Sequence, residues 1–276
     1  MPRVLIFVAL LVFLRGGGRR TTAEWKALAP GMEITVFKAI HGAPHEDSTI
    51  TVLRIDPAHW DLEFAGSGRI ADPEEHTARE WCARKNFVAA INAGMFRDEG
   101  DSHAGYLRYE NRLYSKKITS YQSLAAFGPH DAKLPRFHIF DLDAPRVAIP
   151  NIAKDYKLAV QNLRLIERPG VNKWRQEAKR ASEAALGEDK NGNILFIFAR
   201  SPFSMYEMNQ ELIAAGIGLV AAQYLEGGPE AQLYVHVGKT EMEMFGSFET
   251  AFEESDKNSE SWPIPNVLAI RPRKTQ

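Results

Sequence analysis

The chain has 276 residues, of which 45% are hydrophobic and 25% charged, and its formal net charge is −1. These proportions exclude global disorder and fit one large domain or two closely packed lobes. No basic stripe points to nucleic acid, and the single cysteine, Cys82, excludes an internal disulfide or a cysteine-cluster zinc site.

Val4 to Leu14 is an unbroken apolar run, flanked by Arg3 on one side and by Gly16-Gly17-Gly18-Arg19-Arg20 on the other. Eleven residues rise about 16 Å as a helix, well short of a hydrocarbon core about 30 Å thick. Residues 1–20 therefore read as a signal peptide, with an uncleaved membrane tether through residues 4–14 as the alternative. The expected location is exported, periplasmic or extracellular. Removing the four arginines of this segment leaves 30 basic against 35 acidic residues, so the body at 21–276 is mildly acidic. Such a surface gives no attraction to anionic lipid.

The body begins with β-branched segments at Glu33–Lys38 and Thr49–Ile55, separated by a turn-forming Gly42-Ala43-Pro44. Trp60–Phe64 alternates as a strand does, and His76–Lys85 reads as a helix carrying Cys82 as a buried structural thiol. Phe87–Ile91 is apolar throughout, as expected for a strand buried on both faces, and it stops at Asn92-Ala93-Gly94. Residues 106–128 read as hairpins, 137–141 and 158–165 as strands, and 143–150 as connecting chain. Residues 172–186 read as helical in the middle, followed by a turn at Asp189-Lys190-Asn191-Gly192 and a buried strand at Ile194–Ala199.

Ser204 stands three residues before Glu207, the spacing of a capping box, and Met205, Met208 and Leu212 then recur on one helical face. That methionine stripe is packing core rather than a cofactor site. Strands at 217–225, 232–237 and 267–270 complete the pattern. Without a regular alternation of strand and helix, the expectation is an α+β fold with a mixed, mainly antiparallel central sheet and packed helices.

Two places share one pattern, a buried strand ending in a polar residue with glycine close behind. The first is Ile91-Asn92-Ala93-Gly94, and the second is Leu225-Glu226-Gly227-Gly228. Glycine allows a sharp turn and close approach of a ligand to the backbone, and rigid strand ends are good places for functional groups. Ordinary strand-to-turn transitions would look the same.

Further segments complete a set. Ala159-Val160-Gln161-Asn162 lies on a middle strand, and Lys179-Arg180 precedes Ala185-Leu186-Gly187. Arg200-Ser201-Pro202-Phe203-Ser204 enters a helix, and Gly228-Pro229-Glu230-Ala231 follows Glu226. In order and spacing, over roughly residues 35–270, these resemble the phosphodiester glycosidase family. The family's segments are Asn-Gly-Gly-Phe-Phe, Gln-Ser/Asn, a basic stretch before Gly-Ile/Val-Gly, and Leu-Asp-Gly-Gly-x-Ser. Three departures stand out. Glu226 replaces the family's aspartate, Glu230 its serine, and Ser182-Glu183-Ala184 occupies the place of Arg-Thr or Arg-Asn.

The resemblance implies hydrolysis of the bond between a sugar's anomeric carbon and a phosphate oxygen, in a glycan or surface polymer, with no cofactor. Such a reaction needs a carboxylate to activate water or attack the sugar, and donors for phosphate oxygens. Glu226 is the candidate base or nucleophile and Asn92 its companion, with Glu230 as the second acid. Gly94, Gln161, Asn162, Arg164, Arg180 and Gly228 are candidate substrate contacts. Arg200 and Ser201, ahead of a helix amino terminus, form a candidate phosphate subsite. A non-catalytic glycan-binding module and a general phosphodiester hydrolase are the competing readings. His41-x-x-x-His45-Glu46-Asp47 lies in a Gly/Pro loop that imposes no metal geometry, and Asp98, Asp101 and His103 read as a polar loop bordering the cleft.

Overall fold

The computed structural model describes residues 23–41, 48–66, 76–96 and 103–273. The leader at 1–20, residues 45–47 of the histidine loop, Asp98 and Asp101 lie outside the described residues.

In chain order the strands begin with β1 (Lys26–Ala29), β2 (Met32–Lys38), β3 (Thr49–Ile55) and β4 (Trp60–Gly66). Helix α1 (Ala78–Lys85) leads to β5 (Ala89–Asn92), β6 (Leu107–Tyr109), β7 (Arg112–Ser115), β8 (Ser123–Pro129) and β9 (Phe137–Asp141). Helix α2 (Ile149–Asp155) precedes β10 (Tyr156–Asn162), β11 (Arg164–Glu167), β12 (Val171–Asn172), β13 (Ala181–Asp189) and β14 (Ile194–Phe203). Helix α3 (Met205–Ala214) then precedes β15 (Leu219–Gly227), β16 (Gln232–Val237), β17 (Thr240–Phe245) and β18 (Asn266–Pro272).

The strands form three mostly antiparallel sheets rather than one central sheet. The large sheet runs β1-β2-β3-β14-β13-β15-β11-β12, and the two smaller ones run β7-β6-β10-β8-β9 and β17-β16-β5-β18-β4. With 49% strand and 12% helix, the protein is predominantly β, which corrects the expected balance of helix and sheet. The cause lies in the helices, whose 7 to 10 residues each cover one outer face only.

The main core lies between the large sheet and the two smaller ones. Leu53, Phe196 and Leu225 from the large sheet meet Ile91, Leu233 and Leu268 of one small sheet and Phe127 and Leu158 of the other. Successive residues of a strand point to opposite faces. Ala159 of β10 therefore leaves this core and joins Ile149 and Ile152 of α2. Met208 and Leu212 of α3 cover the outer face of the large sheet over Ile197 and Tyr224. Trp81 and Cys82 of α1 cover Ala90, Tyr234 and Ala269, and burial pushes the Cys82 thiol up to about 12, so it stays protonated.

Two helix starts behave as their residues dictate. Ser204 and Glu207 form the expected reciprocal capping box on α3, and Thr77 and Glu80 form a second on α1. Each N-cap contributes about 1 kcal/mol. The largest local departure from expectation lies in 172–186, expected as helical in its middle: no helix forms there, and Ala181–Asp189 is a strand with every residue buried. Small side chains such as Ala181, Ser182, Ala184 and Ala185 let β14 and β15 pack on both edges of it, and that tertiary gain overrides helix propensity. Helix α2 starts within the last two residues of the expected connecting chain at 143–150, with Pro150 inside its first turn, where a missing N–H costs nothing.

Candidate functional site

Strands β5 and β15 belong to different sheets, yet their ends meet. Asn92 closes β5, is 1% exposed, and spends its carboxamide on the segment after Glu226. Its Nδ2 donates to the Glu230 carbonyl at 2.9 Å, and its Oδ1 accepts from the Gln232 N–H at 2.7 Å. Glu226 reaches in the opposite sense. Its Oε1 accepts from the Gly227 N–H at 3.1 Å, and its carboxyl also accepts from the backbone N–H of Phe96. The two strand ends are thus laced together by side chain-to-backbone bonds in both directions.

Glu226 is 8% exposed. Burial holds its carboxyl well above the usual carboxylate range, and the neighbouring charge of Glu230 pushes the same way. Two backbone donors oppose this shift without cancelling it. The result is a carboxyl whose proton is held more tightly than usual, next to a second acid on the next turn of chain.

Gly94 is required by its surroundings. Its φ is +148°, and a Cβ there would meet Asn162 Oδ1 and the His103 ring. Asn162 Nδ2 donates to the Ala93 carbonyl at 3.0 Å, so β10 fixes the loop after β5 from the other side. His103 bonds the Gln161 carbonyl at 2.9 Å through Nε2, which places its proton on that nitrogen. Burial lowers the ring to about 4, so it is neutral, and Nδ1 has no partner among the described residues.

The turn after Glu226 is equally tight. Gly228 has φ +61°, and a Cβ on it would meet the side chain of Glu249. Gly246 lies so close to the Gly228 carbonyl that it too has no room for a side chain. Glu249 is neutralised by Lys179 at 2.8 Å. The Tyr224 hydroxyl lies over Gly227, and burial together with Glu226, Glu183 and Glu249 raises its ionisation well above the usual range.

Glu183 departs from the family pattern and is not among the site residues that the sequence points to. It stands opposite Gly227, while its neighbour Ala184 stands opposite Glu226. Alternation therefore turns Glu183 toward the α3 side, where Glu177 and Glu207 are its charged neighbours. It is 1% exposed, Oε2 has no partner among the described residues, and burial raises its pKa well above normal. A lone acid in the run Ala181-Ser182-Glu183-Ala184-Ala185-Leu186 was the available signal, masked by the helical look of that segment.

The other sequence candidates lie apart from this junction or are committed elsewhere. Gln161 uses its whole carboxamide on backbone groups, accepting from Tyr106 and Thr119 and donating to the carbonyls of Thr119 and Tyr121. Arg164 makes a bidentate contact with Asp143 at 2.7 and 2.9 Å and also pairs with Asp141 and Glu167. Arg180 pairs with Glu207, the capping residue of α3. Arg200 donates to the carbonyls of Phe245 and Asn258 at 3.0 and 2.9 Å and pairs with Asp256. Ser201 sits on β14, which runs on to Phe203 instead of stopping at residue 199. Asn92, Gly94, Asn162, Glu226, Gly228 and Glu230 therefore converge, whereas the arginines are held by acids or carbonyls. Among the described residues no group of three or more His, Cys, Asp or Glu side chains is arranged to hold a metal ion.

A family model described as phosphodiester glycosidase matches residues 85–271. No curated protein matches the chain. Among solved structures, the catalytic domain of zebrafish N-acetylglucosamine-1-phosphodiester alpha-N-acetylglucosaminidase, auto-inhibited by its pro-peptide, has a TM-score of 0.65 at 13% identity. That match covers 91% of this chain and 89% of the other. A hypothetical protein from Synechocystis has a TM-score of 0.62, also at 13% identity, covering 91% of this chain and 64% of its own. At such identities the likeness is one of fold.

Proposed function

The chain belongs to the phosphodiester glycosidase family, and from that premise we propose that it hydrolyses the bond between a sugar's anomeric carbon and a phosphate oxygen. The observation that carries the reading is the Glu226 carboxyl, buried beside Glu230 and tied by backbone bonds to the Asn92 loop. Two carboxyls in unlike environments divide acid and base work. Glu226, expected from the sequence as base or nucleophile, takes the acid's role instead because burial favours its protonated form, and it gives its proton to the departing phosphate oxygen as the C–O bond breaks. Water attacks the anomeric carbon and loses its proton to the Glu230 carboxylate. The products are a free sugar and a phosphomonoester, and the proton on Glu230 returns to Glu226 through solvent.

Asn92 acts in this scheme by position. It fixes the backbone at Glu230 and Gln232, which sets where the second acid stands. Catalytic geometry tolerates little displacement, so the methylene that Glu226 adds over an aspartate must be absorbed by this local backbone. Gly94 and Gly228 let Asn162, His103 and Glu249 pack against the two turns, which holds the backbone on either side of the carboxyl pair in place.

The substrate expected is a glycan or surface polymer containing glycosyl phosphate links. Export through residues 1–20, or a tether through residues 4–14, belongs to the same proposal. Among the described residues no helix is long and apolar enough to cross a membrane.

One observation favours a second reading. Arg164, Arg180 and Arg200 are all engaged by protein partners, which leaves none of these three guanidiniums waiting for phosphate. A glycan-binding module that has lost turnover would look this way. The deciding experiment incubates the purified protein with a panel of sugar-1-phosphodiesters and with a simple aryl phosphodiester. Reducing sugar and phosphomonoester released together by the wild type, and lost in Glu226→Gln with ligand binding retained, support the hydrolase. Binding without any turnover moves the module ahead, and cleavage of the aryl ester alone points to a general phosphodiesterase.

A further inference from the structure

A concavity lies at the opposite end of the β layers from the Asn92–Glu226 junction. It has a volume of about 680 Å³ and is bordered by Arg108, Lys157, Arg136, His130, Arg273 and Asp61. Strand β18 locates it relative to the Asn92–Glu226 junction. Val267, near the start of β18, pairs with Asn92, whereas Arg271 and Pro272 at its other end pair with Asp61 and Trp60. Strand β10 makes the same journey, from Lys157 beside the cavity to Asn162, whose amide holds Ala93. Five or six residues of extended chain separate the two places, on the order of 20 Å. The cavity is therefore independent of the candidate active site.

Its charges are unevenly compensated. Arg273 pairs with Asp61 at 3.3 Å, and Lys157 pairs with Glu63 at 3.3 Å and Glu110 at 3.5 Å. Arg108 and Arg136 meet no carboxylate among the described residues. Arg108 is held in place instead by the carbonyls of Ala153 and Tyr156, which fix the guanidinium without neutralising it. Arg136 is exposed and adds a second uncompensated guanidinium. Phe127, 3% exposed, supplies an apolar wall. The volume falls within the range of small-molecule sites. Guanidinium groups suit phosphate oxygens because their planar donors can engage two oxygens at once.

We propose that this cavity is a binding site for a phosphate-bearing ligand, with Arg108 and Arg136 gripping the phosphate and Phe127 walling the space for an attached group. The ligand's phosphate has two sources, inorganic phosphate or a phosphorylated sugar. Both bring the same dianion to the same pair of arginines. The site does not depend on the proposed hydrolysis, so it stands or falls separately.

The test titrates the full chain with inorganic phosphate, with a hexose 6-phosphate and with the uncharged hexose, at constant ionic strength, by calorimetry. Saturable binding of one or both phosphates, with none of the hexose, is expected. Arg136→Glu should weaken it at least tenfold, and that exposed position leaves folding intact. Arg108→Lys, which keeps charge but loses the planar fork, should weaken it several-fold while the melting temperature is monitored. A hexose phosphate that binds tighter than inorganic phosphate identifies the sugar ester as the ligand, and equal affinities identify the free anion. The proposal is overturned if neither phosphate saturates at millimolar concentration, or if Arg136→Glu binds as well as the wild type.

Discussion

The Asn92 carboxamide grips the chain on both sides of Ala231, with Gln232 giving it an N–H at 2.7 Å and Glu230 a carbonyl at 2.9 Å. The same side chain that the sequence offers as a substrate contact is thus a fastener within one sheet, tying the end of β5 to the turn that enters β16 across 140 residues.

Asn92→Ala should therefore cost stability first. Two buried hydrogen bonds vanish and two backbone groups lose partners, for a loss of about 2–3 kcal/mol. Urea unfolding measures it. If stability is unchanged while turnover collapses, Asn92 contacts substrate and its fastening role is secondary.

Gly94→Ala should be among the most damaging small changes. The new methyl would press on Asn162 and His103, and the backbone conformation is one that side chains resist. A destabilisation of about 2–4 kcal/mol is expected. Gly192→Ala is the control, since its positive φ adds strain but open space surrounds it. Equal losses in the two variants would show that backbone strain alone matters and that the crowding against Asn162 is relaxed away.

Glu183 and Glu226 give stability a definite dependence on pH. Each has its folded pKa raised above the ordinary 4.5, so the native state holds more protons than the unfolded chain. Their contribution is fully present below pH 4.5 and is lost as pH rises toward the folded values. Each group subtracts up to about 1.4 kcal/mol per pH unit inside that window. Glu183→Gln cannot ionise, so its advantage over the wild type should grow between pH 5 and pH 8. Parallel stability curves for the two proteins over that interval would contradict the burial assigned to Glu183.

Arg164 separates a structural role from a binding one. Its side chain is 13% exposed and faces Asp141, Asp143 and Glu167. Arg164→Ala should lower stability by about 1–2 kcal/mol, as expected for a partly buried network. KM for any cleaved phosphodiester should stay within about twofold. A tenfold rise in KM with stability intact would restore Arg164 as a phosphate ligand.

The sequence and the structure agree where a local signal coincides with the tertiary demand. The β-branched runs at 33–38 and 49–55 became β2 and β3, and Ser204 with Glu207 capped α3, because both signals act within a few residues. The pattern of the Asn92 and Glu226 segments is one that ordinary strand-to-turn transitions share, so only the order of segments in the family resemblance pointed to the two lying together. What stayed hidden depends on partners distant in the chain. Nothing near Arg164 announces Asp141 and Asp143 as a pair across the fold, and nothing near Glu183 shows that an alanine-rich stretch will be squeezed between β14 and β15. The acids neutralising each arginine come from other elements, so residue type alone could not say which guanidinium would be free.

Strand β18 is inserted between β4 and β5, so residues 266–272 supply the shared partner of strands made some 175 to 210 positions earlier. On a ribosome or a translocation pore, β4 and β5 therefore emerge long before the piece that unites them exists. The end of β5 that carries Asn92 cannot be seated until then. Completion of this sheet waits for β18, and non-local pairing of this kind is slow. During that interval, the open edges of β4 and β5 are where a nascent molecule is most exposed to mispairing with another copy.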